Sequence, residues 1–209
     1  MASASETTAV LICTFGDRSI WNEFARRAVG SLQTQTHQPD EILRIHRGTL
    51  QESRNAAAAM TECDWLCFLD GDDELEPEYI EGMLEATGDI RRPRVRVLSE
   101  GPNETPMPEP FEIEPRPLLT GNYIVVGAFI RRELFLRLGG FDDWRICEDW
   151  AFYLKSWTAG ASIGFAPRSI YRQNWRPQSR NQLEHRQYQE ICGQIRDRYT
   201  PLAQKAGLI

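Results

Sequence analysis

Lysine is almost missing from this chain: 22 of its 24 basic residues are arginine, and only Lys155 and Lys205 are lysine. Two readings fit the arginine excess. One is bidentate recognition of phosphate or carboxylate. The other is the codon usage of a GC-rich genome, which accounts for the bulk of them. Positive net charge is also lacking. The formal charge is −6, which excludes sequence-independent attraction of the whole chain to nucleic acid. Cys13, Cys63, Cys67, Cys147 and Cys192 form no Cys-x-x-Cys pair and no histidine stands at zinc spacing, so a zinc site is excluded and reduced, mostly buried thiols of a cytoplasmic protein are expected. No run approaches the roughly 20 apolar residues of a membrane span. The opening Met1-Ala2-Ser3-Ala4-Ser5-Glu6 has no basic region and does not read as a secretory signal. There is no internal repeat.

With 209 residues and 41% hydrophobic content, the chain is long and apolar enough for one domain with its own core. A single unit over 1–209 is expected, with a flexible start at 1–7, a proline-rich loop at 100–119, and a C-terminal helix and tail over 180–209.

The most informative segment is Trp65-Leu66-Cys67-Phe68-Leu69-Asp70-Gly71-Asp72-Asp73. An apolar run bounded by turn chemistry reads as a buried strand. In open α/β sheets ligands bind just past the carboxyl ends of such strands. Three clustered carboxylates repel one another unless a cation lies between them. A divalent metal that completes its shell with phosphate oxygens is one solution; an acidic solvated turn ahead of the helix near Pro77 is the other.

Periodicity gives the surrounding elements. Residues 8–14 read as a first buried strand. Trp21, Phe24, Ala28, Val29 and Leu32 recur at helical spacing up to about residue 33. Residues 41–45 form a second strand, and Thr49 with Glu52 makes a capping box opening an alanine-rich helix to about Met60. Residues 65–69 are the third strand, with a helix from Pro77 to a stop at Gly88. Further strands are expected at 95–98, 122–130 and 162–165, and helices at 131–138, from Asp149 to Gly160, and over 180–199. Residues 101–117 hold six of the twelve prolines and predict no regular structure; they read as a linker or as an acceptor-facing loop. Alternation of strand and helix predicts a mainly parallel sheet.

Several segments, in order, resemble the inverting family-2 glycosyltransferases of GT-A fold. They are Leu11-Ile12-Cys13-Thr14-Phe15, Ser31-Leu32-Gln33-Thr34-Gln35-Thr36, Ser53-Arg54-Asn55-Ala56, Phe68 to Asp73 as an Asp-x-Asp motif, Gly139-Gly140-Phe141-Asp142 with Glu148-Asp149, and Tyr171-Arg172 with Ser179. The resemblance covers residues 8 to about 182. It implies a GT-A-like nucleotide-diphospho-sugar transferase fold, a mainly parallel Rossmann-like sheet flanked by helices. It implies metal-dependent sugar transfer from a nucleotide sugar to a hydroxyl acceptor, with Mn²⁺ or Mg²⁺. Thr14, Phe15, Arg54, Asn55 and Asp70 would bind the donor, and Asp70, Asp72 and Asn174 the metal. Asp149 would be the catalytic base, with Glu148 orienting the acceptor or supporting Asp149, although an acid at a helix start is also a common cap. Asp73 would help fix the turn. Trp144 and Trp150 read equally as sugar-stacking or core residues.

Two departures stand out. The second strand ends Leu43-Arg44-Ile45-His46-Arg47-Gly48 without the family's base-contacting acidic element, and Asn174 replaces the late metal-binding histidine. They motivate an alternative, a non-catalytic nucleotide-sugar or glycan-binding module. A sugar nucleotidylyltransferase ranks lower, because Cys13 to Asp17 lacks a glycine-rich basic loop. The acceptor is unidentified: Arg168, Arg172, Arg176, Arg180 and Arg186 either meet a phosphate-bearing acceptor, including modified nucleic acid, or balance an acidic domain.

Overall fold

The computed structural model describes residues 6–99, 104–106, 116–175 and 185–209. In chain order the elements are β1 (Thr8–Phe15), α1 (Arg18–Gln33), β2 (Glu41–Arg47), α2 (Leu50–Met60), β3 (Trp65–Asp70), β4 (Glu74–Leu75), α3 (Tyr79–Glu85), β5 (Ile90–Ser99), β6 (Glu104–Pro106), a 3-10 turn (Arg116–Leu119), β7 (Phe129–Arg131), α4 (Arg132–Arg137), α5 (Glu148–Thr158), β8 (Ile163–Trp175) and α6 (His185–Lys205).

The strands make one sheet in the order β2-β1-β3-β7-β5-β8-β4, with β6 paired to β5. β1 lies parallel to both β2 and β3, joined through α1 and α2, as the alternating pattern predicts. The later half is mixed. β7 is antiparallel to β3 and β5, β5 is parallel to β8, and β8 turns back antiparallel to β4. Val10, Leu11, Ile12, Trp65, Leu66 and Phe68 of the central strands are fully buried, which is why these runs are continuously apolar rather than alternating.

The register decides where chemistry can occur. Cys13 of β1 stands opposite Asp70 of β3, and Thr14 opposite His46 of β2. The carboxyl ends of three adjacent parallel strands therefore put His46, Thr14 and Asp70 along one rim. Gly71 follows directly. A Cβ there would meet Thr14 Cγ2 at 3.1 Å and the Trp21 ring at 3.3 Å, so close approach to β1 and α1 is what calls for glycine at this point.

Several elements differ from the sequence expectation. Only residues 129–131 of the expected 122–130 strand pair in the sheet. The stretch before them is held by side chains instead: Tyr79 Oη donates to the Gly127 carbonyl at 2.7 Å and Tyr153 Oη to that of Val125 at 2.9 Å. β5 and β8 are much longer than expected, because each supplies the other with a partner along its whole length, with a bulge at Pro93/Arg94. The last helix runs through Pro201. Cys192, Ile195, Tyr199 and Ala203 are buried on one face and carry it past the lost amide. Within the proline-rich segment, Glu104–Pro106 pair with β5 as a short edge strand, where proline is tolerated. The rest of that loop, apart from the Arg116–Leu119 turn, lies outside the described residues, as do Arg176, Ser179 and Arg180.

Candidate active site

Arg54 is the hub of the site. The capping box forms as expected, with Glu52 N donating to Thr49 Oγ1 and Thr49 N to Glu52 Oε2, and it fixes the start of α2. Arg54 lies on the buried side of that helix at 2% exposure. Its two terminal nitrogens fork, each at 2.6 Å, to Asp70 Oδ1 at the end of β3 and to Glu148 Oε1 at the start of α5. The guanidinium carbon also lies 5.5 Å from the Phe141 ring centroid. Burial works against its charge, but Asp70, Glu148 and Asp149 outweigh that and raise its proton affinity, so the arginine stays cationic.

The three turn carboxylates have different surroundings. Asp70 and Asp72 are half-buried, while Asp73 is 4% exposed. Tyr171 Oη donates to Asp73 Oδ2 and the Asn174 amide to Asp73 Oδ1, each at 2.8 Å. Burial, then Asp72 and Asp70, push its carboxyl well above the usual range. Asp73 fastens the turn to β8, as the sequence reading expected. Asn174 Nδ2 donates to the Asp72 carbonyl at 2.6 Å; a carbonyl there fixes the amide orientation, since the oxygen would be repelled.

Among the described residues no group of three or more His, Cys, Asp and Glu side chains is disposed to hold a metal ion. An ion that keeps most of its shell as water and phosphate needs only one or two carboxylates; of the three turn acids, Asp70 and Asp72 are the partly exposed ones. A preformed, all-protein cage with Asn174 as a third ligand is not what this turn offers.

Asp149 is in the first turn of α5, half-buried. Its Oδ2 accepts from Asn122 Nδ2 at 3.1 Å and its Oδ1 from the Trp150 amide at 2.8 Å. Burial and the adjacent Glu148 push its carboxyl up to about 6, against the lowering effects of Arg54 and these two donors. Cys147 stands at the N-cap of α5, and its φ of 60° is the one positive value at a non-glycine among the described residues. Arg54, Asp70, Tyr123, Asp149, Gln173 and Tyr188 line a common cleft of about 260 Å³.

The other expected site residues serve neighbouring structure. Asn55 Nδ2 donates to the Phe141 carbonyl and its Oδ1 accepts the Phe141 amide, both at 2.9 Å. That clamps the Gly-Gly-Phe-Asp turn to α2. Thr14 Oγ1 lies 2.9 Å from His46 Nδ1, and the Thr14 carbonyl accepts from Ser53 Oγ. Phe15 packs beside Trp21 with ring centroids 6.2 Å apart. Trp150 is a core residue whose Nε1 donates to the Leu118 carbonyl at 2.7 Å, which removes it as a sugar-stacking surface. Trp144 is half-buried, and its carbonyl accepts from Gln51. Sequence reasoning missed Asn122 entirely. The available signal was Gly121-Asn122, a turn pair, which the strand reading of 122–130 absorbed.

Residues 41–138 match the family model described as Glycosyl transferase family 2. That segment contains Arg54, Asp70, Asp72 and Asn122 and stops short of Glu148 and Asp149. An uncharacterized glycosyltransferase of Haemophilus influenzae is 36% identical over 115 residues, a match taking in 50% of this chain and 39% of that protein. The chain therefore spans well under half the length of this curated relative. Among solved structures, S. aureus TarS superposes with a TM-score of 0.61 at 15% identity, over 90% of this chain and 39% of that one. TarS 1-349 in complex with UDP-GlcNAc gives 0.62 at 15% identity, over 81% of this chain and 59% of that one. GalNAc-T7 with UDP, GalNAc and Mn²⁺ gives 0.57 at 16% identity, over 82% and 44%. At such identities the likeness is one of fold. No helix among the described residues is long and apolar enough to cross a membrane. Over residues 41–138 the sequence is similar to the family 2 glycosyltransferases, and over most of its length the chain shares its fold with TarS and GalNAc-T7.

Proposed function

We propose that this chain moves a sugar from a nucleoside-diphosphate donor to a hydroxyl acceptor, with inversion at the anomeric carbon. One observation carries the reading: Arg54 ties Asp70, at the rim of the parallel strands, to Glu148, beside the half-buried Asp149, around a single cleft. The rim is where a diphosphate would bind in such a sheet. The α5 end is where an acceptor would meet a base.

In this reading Asp149 takes the proton of the acceptor hydroxyl as its oxygen bonds to the anomeric carbon. The bond from that carbon to the diphosphate oxygen breaks, and the electron pair leaves with the diphosphate. A carboxyl pushed up to about 6 is a stronger base than an ordinary aspartate and is still mostly ionised at pH 7. Glu148, paired to Arg54, holds the start of α5 and raises the basicity of Asp149. Asp70 and Asp72 would hold a divalent ion, Mn²⁺ or Mg²⁺, which supplies Lewis-acid stabilisation of charge on the departing diphosphate. Arg54 fixes the Asp70 carboxylate, and Asn174 supports the turn through the Asp72 carbonyl. Asn55 keeps the acceptor-side turn in place through Phe141 rather than touching the donor.

The second reading is a module that binds a nucleotide sugar or glycan without transfer. It is favoured by Arg54 already serving as the counter-charge of Asp70. Turnover decides between them. Purified protein is incubated with a panel of UDP-, GDP- and dTDP-sugars and Mn²⁺, and release of nucleoside diphosphate is followed. Release that disappears in Asp149→Asn supports transfer chemistry; binding without release in any member of the panel supports the second reading.

A further inference from the structure

We infer that Asn122 is a positioning residue for Asp149, an inference that rests on Asp149 being the base. Asn122 sits in the segment ahead of β7, which the sheet does not hold by strand pairing. Its carboxamide is used at both ends. The Ile124 amide donates to its Oδ1 at 3.1 Å, and its Nδ2 donates to Asp149 Oδ2 at 3.1 Å. The first bond fixes the orientation of the second: with the oxygen committed to an amide proton, the nitrogen must face the carboxylate.

The segment bearing Asn122 is itself fastened to the core. Tyr153 Oη holds the Val125 carbonyl, Tyr79 Oη holds that of Gly127, and the Cys67 thiol also lies on the Gly127 carbonyl at 3.3 Å. Asn122 is thus a donor on a rigid wall, aimed at one oxygen of a carboxylate whose other oxygen takes the Trp150 amide at 2.8 Å. Two fixed donors hold the carboxylate plane against rotation about its side-chain bonds. A general base placed this way loses little entropy when the acceptor arrives.

Asp149 is also faced by Glu148 on its own helix, by Cys147 at the N-cap, by Tyr153 one turn on, by Arg54 from α2 and by Tyr188 from α6. Any change at Asn122 must be read against that constant background. A merely structural Asn122 would act through the Ile124 amide alone, as an aspartate or serine there can do equally well. Asn122→Asp separates the two roles: it keeps an acceptor for Ile124 and replaces the donor with a second carboxylate.

The test is a carboxyl-carbon NMR titration of the full chain labelled at aspartate, with the Asp149 signal identified by its loss in Asp149→Asn. In the unaltered protein Asp149 should titrate near 6. In Asn122→Asp the midpoint should rise by about one unit or more, as close like charges require. In Asn122→Ala it should rise by less. An unmoved midpoint in Asn122→Asp, in protein that still melts cooperatively, overturns the inference. Should that variant not fold, an unmoved midpoint in both Asn122→Ala and Asn122→Ser overturns it equally. Failure of the underlying reading looks different: nucleotide-sugar turnover that survives Asp149→Asn removes the base, and the role of Asn122 with it, wherever the midpoints lie.

Discussion

Arg54 and Glu148 are 94 positions apart in sequence, and their guanidinium and carboxylate meet at 2.6 Å with both side chains buried. The same guanidinium holds Asp70 at 2.6 Å. One cation thus joins the end of β3 to the start of α5, and its removal takes a guanidinium partner from two carboxylates at once. Breaking a buried pair from one side costs about 3–5 kcal/mol, far more than the pair itself contributes. Arg54→Ala is therefore expected to lower stability by about that amount in urea unfolding. Arg54→Lys keeps the charge but not the fork, so it should fall between the two. A loss below about 1 kcal/mol for Arg54→Ala would show that water or rearrangement relieves both acids.

Tyr171 supports the acidic turn from below. Its hydroxyl donates to Asp73 and accepts the Asp70 amide at 3.3 Å, while its ring lies where a Cβ on Gly127 would stand. Tyr171→Phe preserves the ring packing and removes both polar contacts. Leaving a buried carboxylate oxygen without its donor costs about 1–3 kcal/mol. The expected result is a lower melting temperature with an otherwise native circular dichroism spectrum. An unchanged melting temperature would mean that Asp73 draws nothing from the phenol.

The raised carboxyl of Asp149 ties stability to pH. Its folded-state value of about 6 lies above the ordinary 3.8. The folded protein therefore binds a proton more tightly than the unfolded chain. The resulting stability is fully present below about pH 4 and is lost as pH rises through 6. Asp149→Asn, neutral at every pH, should be more stable than the unaltered protein above pH 7, by about 1–2 kcal/mol once solvent screening of a half-buried group is allowed for. The difference should vanish near pH 4. Melting temperatures across pH 4–8 check this, and a gap that does not change with pH would contradict the assignment. In the proposed chemistry, turnover should fall about tenfold per unit below pH 6 as the base is protonated.

Gly140 has a φ of 70°, and a Cβ placed on it would stand 2.5 Å from Asn55 Oδ1. Gly140→Ala strains the backbone and displaces the amide that clamps Phe141. The ring of Phe141 packs on Phe68, Phe135 and Phe152 at 5.1–5.3 Å between centroids, so the disturbance reaches the core. A loss of about 1–3 kcal/mol is expected in denaturant unfolding. A neutral effect would show that the clamp is dispensable.

The legible parts of this chain were those decided locally. β1, β2, β3 and the capped helix α2 follow from apolar runs and a capping box, and their parallel pairing from the alternation of strand and helix. The acidic turn at the end of β3 was equally plain. What sequence did not convey was which polar groups meet across the fold. Arg54 was read toward the donor, while in the fold it also anchors Glu148. Asn55 was read toward the donor too, but its amide is consumed by the backbone of Phe141. Asn122 was hidden in a segment whose Tyr-Ile-Val-Val composition favours a strand, and whose backbone is in fact held by tyrosine hydroxyls from α3 and α5. Such side-chain to backbone bonds leave no periodicity in the sequence, so pattern alone does not expose them.

The decisive measurement is metal-dependent binding of a donor at Asp70 and Asp72. Thermal melting of the unaltered chain and of Asp72→Ala would be followed with UDP-, GDP- and dTDP-sugars, with and without Mn²⁺. At 100 times its dissociation constant a bound donor adds about 2.7 kcal/mol of stability. At least one donor is expected to stabilise the unaltered protein only when Mn²⁺ is present, and Asp72→Ala is expected to abolish the effect. Equal stabilisation of both proteins, or none by any donor with the metal present, would contradict that expectation.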